Sequence, residues 1–142
     1  MDHSEITRMS VADQAPVRPI ILIVEDRAVM RAMLREFVQK AFPDYTIMDA
    51  HNGARGMALC MEHRPSLVLM DVRLPDANGI ELTAIINAAA PYIPVIVISY
   101  LSGQPYLDQA KAAGARAYVA KDRLVSELVP AMTAALNPDD GG

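Results

Sequence analysis

Polar side chains that could do chemistry stand directly after apolar segments of the chain. Glu25 and Asp26 follow one such segment, Asp71 follows a second, Ser99 ends a third, and Lys121 follows a fourth. If these segments are parallel strands, their carboxyl ends share one edge of a sheet, which is where ligands of such sheets bind. We therefore expect carboxylates, a hydroxyl and an ammonium to converge there.

The clustered carboxylates indicate a metal site. Three carboxylates in a small crevice repel one another, so at neutral pH they must raise their pKa values or bind a cation. Mg²⁺ takes oxygen ligands and keeps several waters, so one or two direct carboxylates plus a backbone carbonyl suffice. Neither histidine nor cysteine accompanies these residues, which argues against zinc, copper or iron. The sequence predicts Mg²⁺.

Asp71 is the candidate nucleophile of this cluster. Beside a bound cation, a carboxylate can attack phosphorus and form an acyl phosphate. Phosphoryl transfer depends chiefly on positioning and on neutralising the equatorial oxygens, and Mg²⁺, Lys121 and Ser99 could share the second task. The chemistry that these residue types favour is therefore phosphoryl acceptance by a carboxylate.

Apolar runs of strand length predict the elements that bring these residues together. Residues 20–24, 66–70 and 93–98 are continuous apolar runs, which are typical of strands covered on both faces. Residues 45–50 and 116–120 are shorter and weaker candidates. The chain thus predicts a sheet of about five strands, which is close to the average sheet size.

The segments between these runs have the pattern of amphipathic helices. Met30, Met33, Leu34 and Phe37 follow the spacing that lines one helix face. Strands that alternate with helices require right-handed crossovers, so we predict an α/β fold with a doubly wound parallel sheet and helices on both faces. Further helices are predicted over residues 52–62, 78–89, 105–113 and 122–136.

Two residues bear on where the predicted helices end. Gly114 is the expected C-terminal stop of the fourth helix. Pro130 falls inside the fifth, where a proline removes a hydrogen bond and costs about 3 kcal/mol, so we expect a kink or break there.

Composition narrows the class of protein. A chain of 142 residues suits one domain, and a net charge of −4 leaves no basic face for direct nucleic-acid binding. Cys60 is the single cysteine, so no intrachain disulfide can form. We expect a cytoplasmic protein that does not bind membranes. We also expect a flexible tail over residues 1–18, a domain over 19–136, and a disordered end or linker start over 137–142.

Several motifs taken together resemble those of a known family. They are the apolar strand before Glu25 and Asp26, the segment 71–79 that reads Asp-Val-Arg-Leu-Pro-Asp-Ala-Asn-Gly, Ser99, and the run from Tyr118 to Lys121. They are similar to the motifs of response-regulator receiver domains of two-component signalling, and the resemblance covers nearly the whole expected domain. It implies a flavodoxin-like sheet with strand order 2-1-3-4-5.

The resemblance also implies a role for each acidic residue. Asp71 would be the phosphoacceptor and would bind Mg²⁺ directly together with Asp26. Glu25 would bind the ion through a water molecule, and the backbone carbonyl of Arg73 would complete the protein ligands.

The phosphoryl oxygens and the switch would involve three further residues. By resemblance, Ser99 and Lys121 would hold the phosphoryl oxygens. Ser99 would also move toward the phosphoryl group while the ring of Tyr118 turns inward. The face formed by the fourth helix, fifth strand and fifth helix would change as a result.

The partners implied are those of a signalling switch. The phosphoryl group would come from a histidine kinase or a histidine phosphotransfer protein, and an unknown downstream protein would read the changed face. The same face is the expected site of a possible homodimer. Such a protein catalyses its own phosphorylation and slow dephosphorylation, and it is not a conventional metabolic enzyme.

Some positions depart from the commonest pattern of the family. Tyr100 is bulky where a small residue often follows the Ser or Thr, so we hypothesise that it restricts the access of water and small phosphodonors. Arg73 places a long cation at the mouth of the site, where it could steer anionic donors or pair with a nearby carboxylate. Asp122 follows Lys121 where many members carry proline, which weakens the usual reason for a cis peptide bond.

Alternative interpretations remain open at this point. The fold could serve as a docking module without phosphorylation, although the intact acidic set argues against it. The chain could be the receiver portion of a DNA-binding regulator, because receivers with Lys-Asp at this position resemble those joined to helix-turn-helix domains. A phosphatase with an aspartyl nucleophile usually needs a second Asp two residues later as general acid, and Arg73 at that place cannot deliver a proton.

Overall fold

The computed structural model describes residues 18–137. The expected terminal segments therefore lie outside the described residues, except for Arg18 and Asn137. The guanidinium of Arg18 donates to the backbone carbonyl of Pro43 at 2.6 Å, next to the start of the second strand.

The sheet has five parallel strands in the order β2-β1-β3-β4-β5, which confirms the predicted fold class. The strands are β1 Ile20–Val24, β2 Thr46–Ala50, β3 Leu67–Asp71, β4 Val95–Ser99 and β5 Ala117–Ala120. The helices are α1 Ala28–Ala41, α2 Gly53–His63, α3 Gly79–Ala89, α4 Gln104–Ala112 and α5 Leu124–Leu136, with a 3₁₀ turn over Lys121–Arg123.

Helices cover both faces of the sheet, because successive side chains of each strand point to opposite sides. On one face, Ile21 and Ile23 of β1 join a buried cluster with α1 and α5. On the other face, Leu22 and Val24 join a cluster with α2 and α3. The central strands β1, β3 and β4 are almost wholly buried, which explains their continuous apolar sequences.

The strand register brings the candidate residues to one edge. Val24 pairs with Met70, Asp71 with Ile98, and Ser99 with Ala120, so the next residues along β1 and β5 lie at the same level. β3 and β4 each extend one residue beyond the predicted runs and include Asp71 and Ser99 themselves.

The helix that contains Pro130 is continuous, although the sequence predicts a kink or break at this residue. The fifth predicted helix begins with the 3₁₀ turn and continues as α5 through Pro130, so the chain does not break there. Leu124, Leu128 and Met132 are buried on both sides of the proline, and their packing holds the two halves of the helix in one piece. Gly114 has φ +96° directly after α4, as expected of a C-terminal stop.

Gly79 permits a close approach between α3 and the end of β3. A Cβ at this position would lie 1.9 Å from the carbonyl oxygen of Asp71. Only a residue without a Cβ fits here unless the backbone moves, so Gly79 lets the loop after Asp71 close tightly onto the sheet.

Gly79→Ala should therefore destabilise the protein by about 1–3 kcal/mol or more, because overpacking at a backbone contact forces the chain apart. Urea unfolding followed by circular dichroism measures the change. Ala88→Ser on the exposed side of the same helix is the control, and it should stay within about 0.5 kcal/mol of the wild type. Equal stability of the two variants would contradict this interpretation of Gly79.

Candidate functional site

Lys121 and two carboxylates form the floor of the site. The Lys121 ammonium lies 2.7 Å from Glu25 Oε1 and 3.3 Å from Asp71 Oδ2, and all three side chains are nearly inaccessible to solvent. A buried ion pair repays its loss of hydration only when the geometry is good and the remaining polar atoms find partners. Burying these three charged groups together therefore carries a large desolvation cost, which their mutual contacts must offset.

The two carboxylate oxygens of Glu25 have different partners. Its Oε2 accepts a hydrogen bond from the Arg27 backbone N–H at 3.1 Å. Its Oε1 pairs with the Lys121 ammonium at 2.7 Å and accepts no hydrogen bond from another group in the described part of the chain. A metal-bound water would donate a further hydrogen bond to this oxygen.

Burial and charge set the ionisation of the two buried carboxyls. Burial and the neighbouring Glu25 carboxylate raise the pKa of Asp71 to about 6 despite the Lys121 ammonium. Burial also acts to raise the pKa of Glu25, but Lys121 and the Arg27 N–H outweigh it and hold that pKa below its ordinary value. Burial and the adjacent carboxylate thus disfavour the charged form of Asp71, and a bound cation would favour it.

The acidic set fits a hard divalent cation. One oxygen each from Glu25, Asp26 and Asp71 lies within 4.8 Å of the other two. All three are carboxylates, which are the ligands that Mg²⁺ prefers, and Asp26 is exposed, so water can complete the coordination. The chemistry and proximity of these residues therefore fit the predicted ion.

A cavity of about 290 Å³ opens above the floor. Its walls include the predicted residues Asp26, Asp71, Arg73, Ser99 and Lys121, which the structure brings together. Its volume leaves room for a phosphoryl group.

The rim of this cavity also includes Tyr100. The Lys121 ammonium lies 5.2 Å from the centre of the Tyr100 ring, within the range of a cation–π contact. Arg73 is exposed on the rim as well. The Lys121–Asp122 peptide bond is trans, like the other peptide bonds of the described residues.

The backbone of Leu101 links the two predicted switch residues. Its N–H donates to Ser99 Oγ at 2.9 Å, and its carbonyl accepts from the Tyr118 hydroxyl at 2.7 Å. Burial raises the pKa of the half-buried Tyr118 phenol. The sequence pattern gave no signal for Leu101, because its contribution comes from main-chain atoms that any residue type could supply.

Asp76 is a second residue that sequence reasoning did not single out. Its carboxylate accepts from the backbone N–H groups of Gly53 at 2.7 Å and Ala54 at 2.9 Å, at the first turn of α2. Asp76 lies in the loop after Asp71, so this contact ties that loop to a helix on the same face of the sheet. The available signal was a carboxyl within the 71–79 motif, but its partner Gly53 is 23 residues away.

Comparison with known proteins identifies related sequences. The model of the response regulator receiver domain matches residues 21–133. The chemotaxis protein CheY of Thermotoga maritima is 34% identical over 113 residues, which cover 79% of this chain and 92% of that protein.

Longer regulators are also similar. The transcriptional regulatory protein PdtaR of Mycobacterium tuberculosis is 35% identical over 127 residues, covering 89% of this chain and 60% of that protein. The chain therefore spans less than two thirds of the length of that relative. A solved DNA-binding response regulator of the LuxR family from Staphylococcus aureus is 28% identical with a TM-score of 0.77, covering 84% of this chain and 99% of that chain.

Among the described residues, no helix is both long enough and apolar enough to cross a membrane.

Asp76→Asn should lower the free energy of unfolding at pH 7, because it removes negative charge from the amino-terminal end of α2. The two backbone hydrogen bonds hold the pKa of Asp76 below its ordinary value. Its contribution is therefore complete above the pKa of the unfolded state, about 4, and is lost as the pH falls through the lower folded-state pKa.

Urea unfolding at pH 7 and at pH values below about 4 tests this. Asp44→Asn, an equal change of charge at an exposed residue, is the control. The deficit of Asp76→Asn relative to Asp44→Asn should shrink as the pH falls, and a deficit that is absent at pH 7 would contradict the proposed contact.

Proposed function

The chain belongs to the response regulator receiver domain family, and we propose that it accepts a phosphoryl group on Asp71 and thereby switches the binding of a partner. The observation that carries the proposal is the position of Asp71. Its carboxyl lies at the floor of an open cavity, 3.3 Å from a buried ammonium and among two further carboxylates. Few other arrangements place a nucleophile, a cation and metal ligands within one crevice.

The transfer step uses these groups as follows. A carboxylate oxygen of Asp71 forms a bond to phosphorus while the bond from phosphorus to the donor nitrogen breaks, and that nitrogen keeps the electron pair. With a pKa of about 6, Asp71 is mostly ionised at neutral pH and ready to attack. Lys121 and the Ser99 hydroxyl then contact the phosphoryl oxygens.

The residues that would hold Mg²⁺ are those of the acidic set. Asp26 and Asp71 would bind it directly, Glu25 through a water, and Arg73 through its backbone carbonyl. When bound, the ion supplies positive charge that neutralises the carboxylates and the incoming phosphoryl oxygens. The convergence of one oxygen from each of these three carboxylates within 4.8 Å supports this assignment.

The donor class follows from the family. Receiver domains interact with histidine kinases and with downstream targets, and we propose a phosphohistidine on a histidine kinase or on a histidine phosphotransfer protein as the donor. Arg73 on the rim would attract such anionic donors. The proposal places the protein in the cytoplasm, as expected from the sequence.

The switch would act through Leu101. If Ser99 turns toward a phosphoryl group, its oxygen leaves the Leu101 N–H, and the loop that also holds the Tyr118 hydroxyl must adjust. The adjacent helix α4 is weakly anchored, since Ala110 is its one buried residue. A rearrangement of the face formed by α4, β5 and α5 therefore requires little free energy. This face is the proposed surface for the downstream partner or a homodimer.

The output of the whole protein is a separate proposal. CheY of Thermotoga maritima is matched over 92% of its length, whereas the regulator PdtaR is matched over 60% of its length. Either a receiver that signals alone or the receiver portion of a DNA-binding regulator is compatible with these matches. For the receiver domain itself we propose signalling through protein contacts, because the chain, with its net charge of −4, provides no basic surface for direct DNA binding.

Incubation with Mg²⁺ and a small phosphodonor should produce one phosphoryl adduct, which intact mass spectrometry detects. Asp71→Asn should abolish the adduct, because the amide is a poor nucleophile, while Asp44→Asn should leave it unchanged. No adduct in the wild type or in Tyr100→Ala would favour the docking module without phosphorylation. Steady turnover of a chromogenic phosphate ester would instead revive the phosphatase.

The phosphorylated form should be long-lived because Tyr100 covers the cavity. Tyr100→Ala should increase the first-order rate of dephosphorylation several-fold, on the order of threefold or more, since about 0.7 kcal/mol of lost shielding has that effect. Tyr92→Ala is the matched control, because Tyr92 is similarly exposed but precedes β4 at the opposite edge of the sheet. Equal lifetimes of the Tyr100→Ala and wild-type phosphoforms would refute the shielding role.

A further inference from the structure

Tyr100 lines the cavity beside the ammonium that would hold a transferred phosphoryl group. An exposed aromatic residue is ordinary by itself, and Tyr100 is 60% exposed. What distinguishes it is position, since its ring centre lies 5.2 Å from Lys121 Nζ and its side chain lines the cavity. Of the described residues that line this cavity, Tyr100 alone carries an aromatic ring.

The in-line geometry of transfer determines where the donor's ring lies. The leaving nitrogen stands opposite the attacking Asp71 oxygen, so it points away from the floor and toward the mouth. Lys121 contacts Asp71 at 3.3 Å and must also contact the phosphoryl oxygens. Because Tyr100 stands over the same ammonium, a donor seated there has its leaving group beside the tyrosine ring.

We propose that Tyr100 is a specificity-determining residue that selects donors whose phosphoryl group is attached to a flat heteroaromatic ring, the imidazole of phosphohistidine. This inference rests on the proposed function and names the donor chemistry that the same site prefers. Aromatic pairs in offset or edge-to-face contact stabilise each other beyond simple burial. A donor with an imidazole gains this contact, whereas a small donor without a ring meets only a steric barrier.

The proposed preference agrees with the shielding role of the same ring. Shielding slows the entry of water and of small donors, and stacking compensates the donor that carries an imidazole. The residue thus favours transfer from a protein phosphohistidine over adventitious phosphorylation by small metabolic phosphates. Lys121 contributes by holding the ring over the mouth through the cation–π contact.

Two small donors isolate the effect of the ring. Monophosphoimidazole and phosphoramidate both transfer a phosphoryl group by breaking a bond from phosphorus to nitrogen. The nitrogen keeps the electron pair in each case. Because that leaving group is already protonated in the donor, it departs as a neutral molecule, imidazole or ammonia. The ratio of their second-order rate constants cancels effects on Asp71, Lys121 and Mg²⁺, because these groups act on the phosphoryl group that the donors share.

The experiment measures this ratio for the full chain and its variants by intact mass spectrometry. The ratio of imidazole to phosphoramidate rates should fall about three- to tenfold in Tyr100→Leu and Tyr100→Ala. It should be retained in Tyr100→Phe, which keeps the ring, and in the remote control Tyr92→Leu. The substitutions at Tyr100 should not impair folding, because the side chain is mostly exposed, and circular dichroism checks this.

The possible failures are distinguishable. If both donors react but the ratio is the same in Tyr100→Leu and the wild type, the donor preference is overturned while phosphorylation of Asp71 stands. A ratio that falls equally in Tyr100→Phe would assign the effect to the hydroxyl and also overturn it. If neither donor modifies the wild type or the unshielded Tyr100→Ala, the proposed function itself fails.

Discussion

The repulsion among three carboxylates at one edge of the sheet is the constraint on which the site depends. Lys121 offsets part of this repulsion, since its ammonium lies 2.7 Å from Glu25 and 3.3 Å from Asp71. One ammonium cannot neutralise three negative charges, and burial together with the Glu25 carboxylate raises the pKa of Asp71 to about 6. The residual charge makes the site receptive to a divalent cation, and the cation with the ammonium makes it receptive to a phosphoryl group.

The fold supplies this arrangement through the geometry of a parallel sheet. Because all strands run in one direction, residues that follow β1, β3, β4 and β5 meet at a single edge, although they are far apart in sequence. Local devices then keep the edge compact. Gly79 lets the next helix approach the Asp71 carbonyl, and Asp76 ties the same loop to α2. The ends of these strands therefore contribute both to the packing of the core and to the geometry of the site.

Much of the fold and of the site residues could be predicted from the sequence, because both leave local patterns. Buried parallel strands are continuous apolar runs, and the polar residue that ends each run marks the ligand edge, as with Asp71 and Ser99. Contacts made by the main chain leave no such pattern, so the link through Leu101 was missed. Local propensity predicts a kink or break at Pro130, whereas burial of Leu128 and Met132 keeps α5 continuous through the proline.

Calorimetric titration of Mg²⁺ into the wild type and Asp26→Asn tests the central claim most directly, because Asp26 belongs to the acidic set but makes no contact with Lys121 among the ion pairs of the described residues. The account predicts saturable one-to-one binding that the substitution weakens by about 10–100-fold, as loss of a ligand should. Absence of saturable binding, or equal affinity in the two proteins, would contradict a cation site built from these strand ends.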